Sequence, residues 1–422
     1  MRKKFGAIHL LLKEALILKK IAEGIRKRSD EITKTIMLEG GKTYNLENTE
    51  VFFTADYIEY MAEWARRYEG EIIQSDRSNE HILLYKKPLG VTAGILPWNF
   101  PFFLIARKAA PALITGNTIV VKPSEETPIN AQLFTEILDS VDLPKGVFNL
   151  VNGDGSIVGD KLSKNEKIQL VSITGSSAAG KKVMEAASQN ITKVNLELGG
   201  KAPAIVLEDA DLDKSVKYII DFRIINSGQV CNCAERVYIQ SSVKEEFVQK
   251  LVDRISQTTF GDTISDTFDM GPLINKEAQD NVHNYVQTAL NEGGKLECGG
   301  EMPKRKGYFY PETIISNCNN KMQIVQEEVF GPVLPIVEFD KFEEAIELAN
   351  DSKYGLTSSI YTKDLQKAFK AVDHLEFGET YILIDKILKQ CKDSMLELNI
   401  QVLVVLMENM VWKNTFVRMW CI

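Results

Sequence analysis

The sequence predicts an α/β protein whose parallel sheets are joined by crossover helices. From residue 90 onward, short β-branched runs alternate with amphipathic helical stretches, the pattern of successive strand–helix–strand units. The connecting stretches are long enough for crossovers rather than hairpins. Composition agrees: 422 residues, 44% apolar and 26% charged, can build two or three cores and do not describe a disordered or fibrous chain.

Helical signals dominate residues 10–70, with a first helix over Leu10–Arg28. Residues 71–90, EIIQSDRSNEHILLYKKPLG, read as two extended runs around a Ser-Asn turn, hence a hairpin, either a docking arm or an ordinary surface hairpin. Thr118–Val121 is a strand. Thr127 can cap the next helix, with Pro128 in its first turn and Ile129, Leu133, Phe134, Ile137 and Leu138 on one apolar stripe. Val147–Val151 and Leu170–Thr174 are strands separated by the turn-like Asn152–Gly155. Gly175, Ser176 and Gly180 open a helix, Pro203–Leu207 is a strand and Asp211–Phe222 a helix. A second α/β section begins after Gly200 and runs to about residue 380.

Several function classes fall away. Fifty basic against 58 acidic residues give a net charge of −8, which disfavours a general nucleic-acid or anionic-membrane binder. Six cysteines are too few for a disulfide scaffold, and Cys231 and Cys233 lack a second pair at zinc spacing. Histidines at 9, 81, 283 and 374 do not make a metal centre, so no metal is expected. No apolar run is long enough to span a bilayer. The start, MRKKFGAIHLLLKEALIL, resembles a signal peptide in its basic front, but Lys13 and Glu14 break its apolar run and no small-residue cleavage site follows. A cytoplasmic location is the expectation. Internal repeats are not evident.

Some segments carry chemistry. In FRIINSGQVCNCAER, Cys231 follows Gly228 and Gln229 in a loop-like stretch, where a thiol is either an activated nucleophile or a small buried hydrophobe. Cys233 is a core thiol or, less naturally at this spacing, a redox partner. Glu197, in NLELGGK, precedes two glycines that permit tight turning, and is either a general base or a surface carboxylate. In PWNFP, Trp98, Phe100 and Pro101 stiffen a lining around Asn99, whose amide either donates to an oxyanion or satisfies its own turn. Lys122 and Glu125, in KPSEETP, can meet ribose hydroxyls or phosphate. TGSSAAG offers helix-start amides to a pyrophosphate, without the full dinucleotide fingerprint.

Taken together, PWNFPF at 97–102, KPSE at 122–125, TGS at 174–176, LELGGK at 196–201, NSGQVC ending at Cys231 and EEVFGPV at 327–333 resemble, in order and spacing, the NAD(P)-dependent aldehyde dehydrogenase superfamily. The resemblance covers roughly residues 17–382. It is closest to the lactaldehyde and glycolaldehyde dehydrogenases, through TADYIEYMAEWARRYEGEIIQSDR and NSGQVCNCAERVY. It implies a Rossmann-like cofactor domain over 1–70 and 91–199, an oligomerisation hairpin over 71–90, a catalytic domain over 200–382, and an aberrant tail over 383–422. It further implies Cys231 as nucleophile, Asn99 as oxyanion donor and Glu197 as general base. Lys122, Glu125, Ser176, Glu328, Phe330 and Trp98 would hold the cofactor, and Arg107 and Asn232 the substrate's hydroxyl or carboxylate end. NAD is favoured because a carboxylate at 125 repels a 2′-phosphate, with NADP as the alternative. The implied assembly is a homo-oligomer, a homotetramer in the intact family form. The implied reaction is oxidation of a small hydroxyaldehyde to its acid. A phosphorylated or semialdehyde substrate is the alternative, or a disrupted, non-catalytic member.

Both ends depart from the family pattern. The opening hairpin and first cofactor-domain helix are missing or incomplete. After FGETYI at 377–382 the family's closing loop is absent, yet a shifted reading frame of residues 400–413 can restore it, which points to a frameshift near Ile382. On that reading the 71–90 hairpin loses its strand partner, Leu403–Leu406 form an exposed sticky segment, and a substrate-side histidine falls where Met395 stands. The chain as written is then expected to be unstable or weakly active.

Overall fold

The computed structural model describes residues 7–264, 267–383, 402–405 and 416–421. The chain divides into two compact units, one of residues 1–40, 44–198 and 408–422, the other of 41–43 and 199–407.

The first unit opens with three helices, α1 (Ala7–Lys27), α2 (Ser29–Gly40) and α3 (Tyr44–Glu63). Leu18, Ile21 and Ile25 of α1 and Val51 and Ile58 of α3 recur at helical spacing and are fully buried. Next come β1 (Glu71–Gln74) and β2 (His81–Pro88), an antiparallel hairpin whose turn places Asn79 in the left-handed region at φ 66°. Then follow β3 (Val91–Ile95), α4 (Pro101–Ile114), β4 (Thr118–Lys122), α5 (Ile129–Ser140), β5 (Phe148–Leu150), α6 (Asp160–Ser163), β6 (Ile168–Thr174), α7 (Ser177–Ser188) and β7 (Lys193–Glu197). Strands β3 to β7 form one parallel sheet in the order β5-β4-β3-β6-β7. The chain builds outward from β3 in one direction and restarts beyond it with β6. That reversal creates the crevice at strand carboxyl ends where open α/β sheets bind ligands.

Helix α5 corrects the expected cap. The hydroxyl of Thr127 is buried without a hydrogen-bond partner among the described residues. The carboxylate of Glu39, at the end of α2, instead accepts the first amides of α5, from Ile129 and from Asn130 at 3.1 Å. Leu133, Phe134, Ile137 and Leu138 are buried as expected, whereas Ile129 is exposed and leaves the stripe.

The second unit holds β8 (Ala202–Val206), α8 (Leu212–Ile224), β9 (Ala234–Gln240), α9 (Lys244–Ile255), α10 (Lys276–Asn291), β10 (Lys295–Cys298), β11 (Thr313–Cys318), α11 (Gln323–Gln326), β12 (Val333–Phe339), α12 (Phe342–Asn350), β13 (Thr357–Tyr361), α13 (Leu365–His374), β14 (Glu379–Leu383) and β15 (Val402–Val405). Its sheet runs β10-β11-β12-β9-β8-β13-β14-β15, parallel except for the two edge strands. Alternation along β8 sends Ile205 into one core, with Val286, Ile346 and Ala368, and Ala204 and Val206 into another, with Ile220, Phe247 and Leu251.

Residues 402–405 form strand β15, paired with β14 from Glu379↔Val405 to Ile382↔Val402. One expectation about the tail is overturned. The hairpin keeps a partner: β16 (Phe416–Cys421), in the first unit, pairs antiparallel with β2 from Phe416↔Pro88 to Cys421↔Leu83. Strand pairing is made by backbone groups, so it does not need the family's closing motif. Met395 and Leu406 lie outside the described residues. Among the described residues no helix is long and apolar enough to cross a membrane, and no cluster of His, Cys, Asp and Glu could hold a metal ion.

Candidate active site

In the first unit four loops leave the carboxyl ends of neighbouring parallel strands: Leu96–Phe100 after β3, Pro123–Pro128 after β4, Gly175–Ser176 after β6 and Leu198 after β7. These are the segments singled out in the sequence, so the topology collects Trp98, Asn99, Lys122, Glu125, Ser176 and Glu197 at one sheet edge. Asn99 is buried, and its side-chain oxygen accepts the Phe100 amide at 3.1 Å, which fixes the orientation of the carboxamide. Trp98 is half-buried beside it.

Lys122 is buried with its ammonium 2.8 Å from the Pro123 carbonyl and 3.1 Å from Glu125 Oε2. Glu125 also accepts the Gly155 amide. Burial pulls the Glu125 carboxyl upward, but backbone hydrogen bonds and the Lys122 ammonium outweigh it and hold the group below the ordinary range. Asn152–Gly155 is therefore more than a turn. Asp154 accepts the Ser156 amide at 2.7 Å and caps the helical segment starting at Gly155. Ser176 caps α7, its Oγ accepting the Ala179 amide at 3.2 Å. A helix start, a buried ammonium and an ionised carboxylate at adjacent strand ends supply the donors for a pyrophosphate and the donor and acceptor for a ribose, so these residues fit a dinucleotide.

Glu197 ends β7 opposite Thr174, half-buried, its backbone carbonyl accepting the Gly175 amide at 3.0 Å. The sequence reading missed its electrostatic neighbour. Lys108 is buried on α4, where burial pushes its ammonium down to about 7, with the Glu197 charge raising it and Arg107 lowering it. A lone lysine inside FFLIARKAAPALI was the available signal. Arg107 lies half-buried over the Phe103 ring, its guanidinium carbon 6.0 Å from the ring centroid.

In the second unit the Cys231 loop follows α8. Asn226, Ser227 and Gly228 all take positive φ, at 48°, 54° and 79°, a run that costs strain at the two non-glycine positions. Side chains over-determine it. Ser227 Oγ donates to the Gly271 carbonyl at 2.8 Å, Gln229 donates to the Asn226 carbonyl at 2.9 Å, and Gln229 Oε1 accepts the Ile274 amide at 2.9 Å. Beyond the thiol, Thr357 donates to the Asn232 carbonyl at 3.0 Å, with the Asn232 side chain exposed. Cys231 is half-buried, and none of Cys231, Cys233, Cys298 and Cys318 is bridged. Cys233 is core: its thiol donates to the Val230 carbonyl at 3.0 Å, and burial pushes it up to about 11. The two thiols of CNC are thus separated in character, one accessible and one inert.

Gly200 joins this loop to Glu328. Its amide donates to Glu328 Oε1 at 2.9 Å, and a Cβ there would collide with the Cys231 carbonyl. Burial, reinforced by the Glu235 charge, raises the Glu328 carboxyl to about 7 against the opposing Gly200 hydrogen bond. Beneath lies a buried charge network that the sequence reading did not find. Glu235 accepts Lys201 Nζ at 2.8 Å and the amides of Val329 and Phe330 at 3.0 and 2.9 Å, with Arg223 at 3.5 Å. Burial alone would raise Glu235; Lys201 and Arg223 outweigh it and keep it ionised. Arg223 also donates to the carbonyls of Gly228 and of Ala234, the latter at 2.8 Å. The network thereby ties the cysteine loop to the Glu328–Phe330 segment, where Phe330 takes φ 54°.

The chain is similar to known proteins in sequence and fold. The aldehyde dehydrogenase family model matches residues 11–389. Lactaldehyde dehydrogenase of Escherichia coli (strain K12) is 58% identical over 372 residues, 88% of this chain and 78% of that protein. Its crystal structure superposes with a TM-score of 0.88 over 89% of this chain and 79% of that one. A 3,6-anhydro-L-galactose dehydrogenase in complex with NAP superposes with a TM-score of 0.90 at 34% identity, covering 98% of this chain and 88% of that one. The fold, the ordered motifs and these matches together place the chain in the aldehyde dehydrogenase family, as an enzyme that oxidises aldehydes.

Proposed function

We propose that the chain oxidises a small hydroxyaldehyde, lactaldehyde or glycolaldehyde, to its carboxylic acid with NAD, NADP being the alternative carrier. The observation that carries this reading is the accessible Cys231 on a strained, over-determined loop, in a chain 58% identical to a lactaldehyde dehydrogenase. When bound, the nicotinamide cofactor accepts the hydride. In the proposed roles Lys122 and Glu125 hold the adenine ribose, Ser176 the pyrophosphate, Trp98 the cofactor wall, and Glu328 and Phe330 the nicotinamide ribose. The ionised Glu125 disfavours a 2′-phosphate, hence NAD.

The Cys231 thiolate adds to the aldehyde carbon, and the carbonyl π electrons move to oxygen. Asn99 donates to that oxyanion. The carbonyl re-forms as the carbon loses its hydride, leaving a Cys231 thioester. Glu197 then takes a proton from water, whose oxygen adds to the thioester carbon. Collapse expels the Cys231 thiolate and releases the acid. Arg107 and Asn232 receive the substrate's hydroxyl end. The same reading makes the chain a cytoplasmic homo-oligomer, a homotetramer in the family form, with β1 and β2 as its assembly arm.

Steady-state rates of the full chain on glycolaldehyde, lactaldehyde, succinate semialdehyde and glyceraldehyde 3-phosphate test this. The highest kcat/KM is expected for the first two. Cys231→Ser should lose at least about a thousandfold. Glu197→Gln should give one burst of reduced nicotinamide per site and then stall at the thioester. Faster turnover of the charged aldehydes would refute the substrate assignment, and activity retained by Cys231→Ser would refute the chemistry.

A further inference from the structure

Glu125 follows β4 with its side chain half exposed, so packing alone does not hold the carboxylate in one place. Two directed bonds reach it from separate strand ends. Oε2 lies 3.1 Å from Lys122 Nζ, and that ammonium is itself buried and donates to the Pro123 carbonyl at 2.8 Å. Oε1 accepts the backbone amide of Gly155, thirty residues further on.

The Gly155 amide is fixed in its turn. Strands β4 and β5 are paired, and Val151 donates to the Val121 carbonyl at 2.9 Å, so the loops that follow them start side by side. Gly153 turns the second loop at φ 141°, where a Cβ would come within 2.7 Å of Val158 Cγ2. Asp154 then caps the helical segment that Gly155 opens. Its Oδ1 accepts the Ser156 amide at 2.7 Å, and its carbonyl accepts the Val158 amide at 2.8 Å. A first-turn N–H has no partner within its own helix, and the one that Gly155 finds is Glu125.

We propose that Gly155, held by the Asp154 cap, is a positioning residue: with Lys122 it latches the Glu125 carboxylate, so that the site takes a free 2′-hydroxyl and refuses a 2′-phosphate. The inference rests on the assignment of Glu125 to the adenine ribose and adds what stops that side chain from turning away.

A glutamate side chain has several free torsions, and a half-exposed one that is not tethered can swing into water as an anion approaches. Its repulsion is then lost. Each latched oxygen keeps a lone pair, so the carboxylate still accepts from ribose hydroxyls. A 2′-phosphate brings its own negative charge and acceptor oxygens, and meets the carboxylate at close range. It enters only if Glu125 gives up hydrogen bonds to a charged acceptor, which are the stronger kind. Selection between the two dinucleotides is therefore set by how firmly the carboxylate is held as well as by its presence.

Proline at 155 removes the donor with little disturbance. Asp154 lies at φ −58° and ψ 135°, which suits a residue before proline, and proline is at home in the first position of a helical segment. A Cβ at 155 meets Glu125 Oε1 at 3.4 Å, an ordinary contact, so Gly155→Ala keeps the donor and serves as the control. The quantity to measure is kcat/KM for NAD over that for NADP, with glycolaldehyde, in the full chain. Equilibrium binding of the two dinucleotides to the same proteins gives the ratio without turnover. Gly155→Pro should lower it about fivefold, chiefly by tightening NADP, and Gly155→Ala should leave it unchanged. Damage to the loop alone cannot improve the use of NADP, so equal weakening of both dinucleotides would overturn the latch. Asp154→Ala should shift the ratio in the same direction, whereas Asp154→Asn, which still caps, should keep it. Equal loss in both Asp154 variants would assign the effect to the Asp154 charge and overturn the part given to the cap. Glu125→Gln should lower the ratio at least as far as Gly155→Pro, and the double variant should equal Glu125→Gln, because Gly155 acts through Glu125. If Glu125→Gln lowers the ratio while Gly155→Pro leaves it unchanged, the latch is wrong and the ribose assignment stands. If Glu125→Gln leaves it unchanged, both fall.

Discussion

At the scale of single residues, the site depends on groups whose charge is set by their surroundings. Glu328 shows the consequence most directly. Burial and the Glu235 charge raise its carboxyl to about 7, so it is largely neutral below that pH and ionised above it. Only the carboxylate accepts hydrogen bonds from both hydroxyls of a ribose. In its proposed role at the nicotinamide ribose, Glu328 would bind in the ionised form, so a proton would compete with the cofactor on the acid side. The KM for NAD is therefore expected to fall by severalfold between pH 6 and pH 8.5 in the wild type and to be flat in Glu328→Gln. A wild-type profile as flat as the variant's would remove Glu328 from cofactor binding. Cys233 illustrates the reverse: its burial keeps the thiol protonated, so two cysteines two positions apart differ in environment.

At the scale of elements, the buried ions act as rivets between segments distant in sequence. Glu235 on β9 holds Lys201, which precedes β8, and the Val329 and Phe330 amides, which precede β12. Neutralising it leaves Lys201 and Arg223 as buried cations without their counter-charge. Such a loss costs about 3 kcal/mol or more. Glu235→Gln should lower the urea midpoint accordingly and raise the KM for NAD, because the Glu328–Phe330 segment loses its anchors. An unaltered midpoint would show that the network is not holding the loop. None of this was legible in AER, since adjacent charged residues in a sequence carry no sign of burial. The strands were legible, because Thr118–Val121 and Leu170–Thr174 are short runs rich in β-branched and apolar residues, and the structure extends them to Lys122 and back to Ile168. Cys231, Asn99 and Glu197 stood out only through ordered motifs, since each residue type alone has a common structural use. The cap of α5 was misplaced for a related reason. Thr127 is the local candidate, but Glu39 arrives from another helix and accepts the two amides first. Local propensity orders the candidates and tertiary contact decides between them.

At the scale of the whole chain, strand β16 closes the second edge of the β1–β2 hairpin. Leu84 of β2 pairs with Glu71 of β1 on one side and with Trp420 of β16 on the other, so β2 is closed on both edges. Without β16, residues Leu83 to Pro88 would present their unpaired amides and carbonyls along an open edge. Open edges recruit other strands, and this one carries Tyr85 exposed, with Ile72 exposed on the adjoining β1. Proline cannot donate to a ladder and fits poorly in mid-strand. Met419→Pro, opposite Tyr85 in register, therefore opens the edge while leaving chain length unchanged. Most of that variant should elute as aggregate in size-exclusion chromatography where the wild type gives a discrete species. The Cys231 environment belongs to the other unit, so iodoacetamide labelling of Cys231 in the remaining discrete fraction should match the wild type. A variant with the wild-type elution profile would show that β2 does not need this partner. The pairing of β16 with β2 would then not be what keeps this edge from recruiting other strands.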